Sequence, residues 1–341
     1  MKLIAKARML AAVLSVGTVL QAQAQTELTV YTALEADQLK AYANAFQKEH
    51  SDIRIRWVRD STGIVTARLL AEKENPQADV VLGLAATSLL VLKDQGMLQG
   101  YKPAGVEKLS KKFVDKGEQP TWVGMDAWVA SICYNTIEAK KLNLPKPTSW
   151  KDLTRPEYKG HVIMPNPNSS GTGFLDVSSW LQSFGEGQGW AYMDKLHGNI
   201  DRYTHSGSKP CKLAAAGETA IGVSFAYRGA KLVNKGAPIE VIFPVEGLGW
   251  DMEAAAIVKG TDKLKAAQTL MDWAVSRKAN ELYSNSYAVV AMPGVAKPIK
   301  NYPEDIADRM IDNDFEWSAV NRSRILKEWQ QRYDSKSEPK K

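Results

Sequence analysis

Glu27-Leu28-Thr29-Val30-Tyr31, Ile53-Arg54-Ile55-Arg56-Trp57-Val58 and Asp79-Val80-Val81-Leu82-Gly83 are three short β-rich runs. Each gap between them has room for one helix. The first gap places Leu39, Tyr42, Ala43 and Phe46 on one helical face. The second predicts a helix over 63–73. The middle run alternates apolar with Arg, the period of a half-exposed strand. The third is continuously apolar, as a strand covered on both faces must be. Strand, helix, strand, helix, strand predicts a parallel sheet with covering helices.

The alternation continues downstream. Trp128–Tyr134, Val162–Met164, Ile221–Phe225, Glu240–Phe243 and Ala254–Val258 read as strands. A helix start is expected at Ser149–Leu153, a long amphipathic helix after Gly173, and a single helix over 263–279. The 341-residue chain is too long for one compact core and predicts two lobes. Hydrophobic residues are 44% and charged residues 24%, which is ordinary globular usage.

The first residues have a different character. Lys2, Lys6 and Arg8 precede an apolar run from Met9 to Leu20, and Ala22-Gln23-Ala24 is a small-x-small cleavage site. That is the layout of a secretory signal. The expectation is a signal peptide over 1–24, a mature start at Gln25 and export to the periplasm. The leader contributes three cations and no acid, so removing it lowers the formal charge from +6 to +3. The remaining cations form no aromatic-interleaved groove, which argues against nucleic acid as a partner. Cys133 and Cys211 are compatible with a disulfide in an oxidising compartment, or with two buried thiols. Histidines stand at 50, 161, 197 and 205, with no HExxH or CxxC spacing. No metal site and no cofactor are predicted.

Ligands of such sheets gather where strands end and helices begin. Three such loops are rich in small hydroxyls and glycine: Asp60-Ser61-Thr62-Gly63, Asn168-Ser169-Ser170-Gly171-Thr172-Gly173 and Thr204-His205-Ser206-Gly207-Ser208-Lys209-Pro210. Backbone N–H groups, hydroxyls and the positive end of a helix dipole suit a tetrahedral oxyanion. Ser, Thr and Gly are also ordinary capping and turn residues. The candidate anion end is Ser61, Thr62, Ser169, Ser170, Gly171, Thr172 and Ser206, with Tyr227 as a further donor. Arg228 is placed to pair with an anion or with the surface. Glu35, after the first strand, and Asp251, beside Trp250, are the candidate carboxylates for a cationic end. The segment Trp250–Glu253 as a whole could present that second acid and an aromatic wall.

Leu28-Thr29-Val30-Tyr31-Thr32, Gln77–Val81, Leu89–Leu98, Thr148–Leu153 and Ala216-Gly217-Glu218 together resemble periplasmic solute-binding proteins of ABC transporters. The branch is the ferric-iron and polyamine-like one of the type II fold. Tyr31–Glu35, Asn168–Gly173 and His205–Cys211 are most similar to 2-aminoethylphosphonate-binding proteins. The resemblance implies two α/β lobes, each a mixed, mostly parallel sheet with covering helices, joined by a hinge. It implies lobe 1 over 25–115 and 251–300, lobe 2 over 116–250, and a C-terminal helical segment and tail over 301–341. The chain is expected to cross between lobes near 105–128 and 245–252. It further implies a monomer that captures a small aminophosphonate and delivers it to permease subunits, without catalysis.

Ferric, other small-anion or polyamine binding is the alternative. Ferric members pair two adjacent tyrosines where this chain reads Phe225-Ala226-Tyr227, and they carry a His where Glu35 stands. They also place a carboxylate where this chain has Leu84 and Ala85. A secreted hydrolase using Ser169 or Ser170 would lack the Gly-x-Ser-x-Gly elbow, since Asn168 and Ser170 flank Ser169.

Overall fold

The computed structural model describes residues 25–339. The expected leader lies outside these residues. The first region runs β1 (Thr26–Thr32), α1 (Ala36–Glu49), β2 (Ile53–Arg59), α2 (Thr62–Ala71), β3 (Val80–Ala85), α3 (Ala86–Asp94) and β4 (Leu98–Gln99). A 13-residue strand, β5 (Val123–Asn135), leads into α4 (Thr136–Lys141), β6 (Val162–Pro165), α5 (Gly171–Phe184), α6 (Glu186–Asn199), β7 (Ile200–Thr204), α7 (Lys209–Ala216), β8 (Ile221–Phe225), α8 (Ala226–Asn234) and β9 (Ile239–Ile242). The chain returns through β10 (Trp250–Val258), α9 (Leu264–Ala274), α10 (Arg277–Tyr283) and β11 (Val289–Val290) to α11 (Phe315–Tyr333).

Two sheets share β5. One has the order β2-β1-β3-β10-β5, and the other β5-β8-β6-β7. In each, three parallel strands meet antiparallel crossing strands. β5 pairs with β10 from Val123 to Val129 and with β8 from Ala130 to Tyr134. Residues 123–129 therefore bond in the first sheet, although the sequence boundary at 116 assigned them to the second lobe. All 13 residues of β5 are buried, because the strand runs through the interior of both lobes.

Local sequence explains the edges. In β2, Ile53 and Ile55 point inward while Arg54 and Arg56 are exposed, and charged residues suit an edge strand. β3 has two covered faces and is buried throughout. Two large apolar clusters form, one per lobe, around Leu28, Val80, Leu82 and Ala255 in the first and Trp180, Ile221, Trp190 and Tyr203 in the second. α11 bridges them: Ala319 packs with the first cluster, and Ile325, Trp329 and Tyr333 with the second.

Two local expectations are corrected. The helix expected over 263–279 is broken at Val275, and Ser276 caps α10 by accepting the Ala279 N–H. The start at Ser149–Leu153 yields only a 3₁₀ turn over Lys151–Thr154, because Asp152 accepts the Thr148 and Ser149 N–H groups. Cys133 of β5 and Cys211 of α7 are joined by a disulfide, both fully buried. No helix among the described residues is long and apolar enough to cross a membrane.

Candidate functional site

One cleft lies between the lobes where both sheets present strand ends. Its empty space is about 520 Å³, open solvent at the mouth included. α2 brings Ser61 and Thr62 from the first lobe, and α5 brings Ser170, Gly171 and Thr172 from the second. Ser206, Gly207 and Ser208 enter from the turn before α7. Helix N-termini from opposite lobes thus face a common space with their unsatisfied N–H groups. The hydroxyls of Ser61, Thr62, Thr172, Ser206 and Ser208 donate to no protein group among the described residues. Ser170 Oγ caps α5 by accepting the Gly173 N–H at 3.3 Å and keeps its own proton to offer.

The approach of the lobes depends on glycine. The Gly63 N–H donates to the Ser169 carbonyl at 3.0 Å across the cleft. A Cβ on Gly63 would stand 2.1 Å from the Asn168 carbonyl oxygen, and one on Gly171 would stand 2.5 Å from Thr62 Oγ1. Side chains at either position would hold the walls apart.

Three predicted residues stand outside the cleft. Ser169 Oγ donates to the His205 carbonyl at 2.8 Å, so this serine fastens two loops of one lobe together. Tyr227 receives Lys231 Nζ at 2.9 Å and donates to Asp37 at 3.4 Å, turned toward α1. Asp251 is buried on β10: Oδ2 accepts from Thr87 Oγ1 and Oδ1 from the Met252 N–H, each at 2.7 Å. Burial raises its carboxyl to about 6 against those hydrogen bonds and the nearby Arg322 charge. Asp251 thus cannot meet a ligand's cationic end.

Glu35 does line the cleft, but its carboxylate is matched by the Arg228 guanidinium. Both side chains are about nine-tenths buried, and they come from different lobes, α1 and α8. Asp37 and Lys231 extend this bridge, 2.6 Å apart.

Sequence reasoning left Arg59, Trp128, Phe225 and the Glu253 position unassigned within the cleft. Arg59 ends β2, gives its Nε–H to the Leu34 carbonyl at 2.9 Å, and lines the cleft. Its Nη groups meet no protein acceptor among the described residues. Trp128 and Phe225 form apolar walls. Glu253 Oε1 accepts from the Tyr287 hydroxyl at 2.9 Å, while the buried Oε2 has no partner. Burial raises the Glu253 carboxyl to about 8, with the Glu35 charge pushing the same way and the Tyr287 hydrogen bond opposing. Asp126, opposite Glu253 in the β5–β10 register, is raised far above the carboxylate range by burial and by Glu253. Arg59 adds a cation to a cleft in which the Glu35 carboxylate is already matched by Arg228.

A family model described as bacterial extracellular solute-binding protein matches residues 75–316. The chain belongs to this family. The fold is the two-lobe type II fold of periplasmic binding proteins. The periplasmic binding protein AfuA from Actinobacillus pleuropneumoniae, solved with exogenous fructose-6-phosphate bound, superimposes with a TM-score of 0.84 at 29% identity, over 91% of this chain and 99% of that one. The probable ABC transporter periplasmic-binding protein y4fP of Sinorhizobium fredii is 24% identical over 81% of this chain and 78% of its own length. A putative 2-aminoethylphosphonate-binding periplasmic protein of Salmonella paratyphi A is 24% identical over 69% of this chain and 68% of its own. The chain is thus a solute-binding protein of the ABC-transporter type.

Proposed function

We propose that the cleft captures a small organic phosphate, a phosphate monoester on a hydroxylated carbon skeleton, and that the closed protein presents it to permease subunits. The observation that carries this reading is the convergence of α2, α5 and the pre-α7 turn, with unpartnered hydroxyls, on one space that Arg59 also lines. Phosphoryl oxygens accept N–H and O–H donors from several directions, and helix N-termini favour their charge. Trp128 and Phe225 then flank the skeleton. AfuA, solved with fructose-6-phosphate bound, holds a ligand of this class. Export by the leader, a monomeric state, the absence of catalysis and closure about β5 and β10 belong to the same proposal.

The aminophosphonate reading is supported by the Salmonella relative and by the shared anion end. It needs a free carboxylate for the ammonium, since burying that cation unmatched is costly. Glu35 is taken by Arg228 and Asp251 is buried against Thr87, so the geometry favours the phosphate ester. Ferric binding requires several anionic oxygens, whereas the cleft offers mainly neutral donors and Tyr227 faces away from it.

Calorimetry with fructose 6-phosphate, 2-aminoethylphosphonate, inorganic phosphate and ferric citrate tests the proposal. Fructose 6-phosphate is expected to bind at least 10-fold tighter than the other three. A coloured ferric complex, or preference for 2-aminoethylphosphonate, would overturn it.

A further inference from the structure

The floor of the cleft holds a carboxyl pair that the phosphoryl end does not need. β10 and β5 pair with Glu253 directly opposite Asp126. Directly opposed residues of an antiparallel pair carry their side chains on one face, with Cβ atoms about 5 Å apart. Asp126 is fully buried, and neither of its carboxyl oxygens has a hydrogen-bond partner. Two charges side by side in a dry interior are strongly unfavourable, so such a pair retains protons. Glu253 alone of the two reaches the cleft. Its Oε1 is engaged by Tyr287, and its Oε2 is nine-tenths or more buried yet unpartnered. Native structures rarely leave a buried polar atom unmatched, and this one stands at the wall of a ligand site.

We infer that Glu253 holds the end of the ligand opposite the phosphoryl group as a neutral carboxyl, with Oε2 hydrogen-bonded to a skeleton hydroxyl. The inference rests on the phosphate-ester reading and names the residue that selects the skeleton. A neutral carboxyl both donates and accepts, as a hydroxyl does, and offers no charge to an ammonium. It therefore selects a polyol over an amine.

The surroundings keep this carboxyl neutral at physiological pH. From α1 it faces Glu35 and Gln38, and Gln38 Nε2 donates to the Tyr287 hydroxyl at 3.2 Å. From β5 it faces Asp126. Tyr42 of α1 and Tyr283 of α10 lie near the pair, and burial raises both phenols. Tyr287 and Tyr302 are raised likewise, so no phenol here ionises before the carboxyl. On β10 itself, Asp251 is held by Thr87. Two cations stand near this end: Arg228 is bound to Glu35, and Arg59, which lines the same cleft, gives its Nε–H to the carbonyl of Leu34, next to Glu35. Lys212 of α7 is held below its usual range by burial, with Arg228 and Arg59 pushing the same way against Glu35 and Asp37.

The test is affinity against pH from 7 to 9.5, by calorimetry with fructose 6-phosphate. A phosphate monoester has its second pKa near about 6, so the ligand stays dianionic throughout. Wild-type affinity is expected to hold to about pH 8 and then fall up to about tenfold per unit, as Glu253 ionises and can no longer donate. At pH 8.5, binding is expected to take up protons, read from the heat in buffers of different ionisation enthalpy. Glu253→Gln, whatever its affinity at pH 7, is expected to lose both the slope and this uptake. Any loss due to Lys212 persists in that variant and is separated by the difference. Asp126→Asn is expected to leave the fall near the wild-type pH, since Asp126 is itself protonated and the charge that faces Glu253 is that of Glu35. Methyl phosphate, which has no skeleton hydroxyl, is expected to show no uptake at Glu253. If Glu253→Gln keeps the wild-type slope and uptake, the inference is overturned while the function stands. If wild type does not bind fructose 6-phosphate at all, the proposed function fails and this inference with it.

Discussion

The two ends of the cleft are built from unlike materials. The anion end consists of hydroxyls and backbone N–H groups at helix starts, each supplied by residues adjacent in sequence. The floor consists of ionisable groups matched across the fold: Glu35 with Arg228, 193 positions away, and Glu253 opposite Asp126 across two strands. Neutral donors bind charge without carrying it, and their strength does not depend on pH. Ionisable groups bind according to who neutralises them, and that is decided only by tertiary structure. In the proposed function, the first end supplies affinity for a phosphoryl group, and the second sets what may be attached to it.

The strongest way to break this division is at the anion end. Ser170→Ala with Thr172→Ala removes two donors from the start of α5. A hydrogen bond to a charged group is worth about 1.5–3 kcal/mol, so affinity for every phosphorylated ligand is expected to fall at least about 100-fold. Inorganic phosphate and fructose 6-phosphate are expected to lose equally, and calorimetry reads both. Unequal loss would mean that α5 touches the skeleton and that the ends are not distinct.

What the sequence made legible follows the same line. The three Ser/Thr/Gly loops announce themselves because a cap, a helix start and a close backbone approach are local requirements. The alternation of strands and helices is equally local. Ser169, inside the most donor-rich loop, could not be told from its neighbours, since only the fold turns its hydroxyl to the His205 carbonyl. Asp251 and Glu253 lie on the same face of one strand, and the difference is a shift of two residues, about 7 Å along β10. That shift takes Asp251 to Thr87 and leaves Glu253 at the cleft. No pattern within β10 reports it, because it is set by the register against β5 and β3. Arg59 was hidden for the reverse reason. It reads as one more outward Arg of an edge strand, and only the second lobe converts its position into a cleft wall.

A middle-sized effect sharpens the comparison at Glu35. The sequence offered it as the reader of an amine, so Glu35→Gln would weaken an aminophosphonate more than an alkyl phosphate. In the structure its partner is Arg228, and the pair joins the two lobes. Removing one member leaves a buried cation unmatched, but opening the cleft returns Arg228 to water. The cost therefore falls on closure, tempered by Asp37, which stands 3.7 Å from Arg228. Breaking a buried pair is strongly destabilising, up to about 3–5 kcal/mol, and with Asp37 remaining the expected loss is about 10- to 30-fold in affinity. Fructose 6-phosphate and 2-aminoethylphosphonate are expected to lose alike, with little change in the melting temperature of the empty protein. A loss confined to 2-aminoethylphosphonate would restore the amine-reading role.

The smallest effect concerns the floor without any ligand. The Glu253 carboxyl is raised by burial to about 8 in the folded protein, from an ordinary value of 4.5. The folded state therefore holds this proton more tightly than the unfolded chain. Below pH 4.5 both states are protonated, and its contribution to stability is fully present. As pH rises toward 8 the unfolded chain releases the proton first, and stability declines by at most about 1.4 kcal/mol per pH unit. Above 8 the loss is complete. Asp126 acts with the same sign, since burial and Glu253 raise it too. Melting temperatures of the empty protein between pH 5 and 8 are thus expected to fall with a slope that Glu253→Gln reduces and Glu253→Gln with Asp126→Asn reduces further, leaving up to about pH 6 the part due to Asp251, which burial raises to about 6. The double variant is expected to melt above wild type at pH 8 and near it at pH 5, since amides there need not be discharged to be buried. Parallel slopes in wild type and double variant would show that the carboxyls ionise normally. The floor would then be charged like any surface, and the contrast between the two ends of the cleft would dissolve.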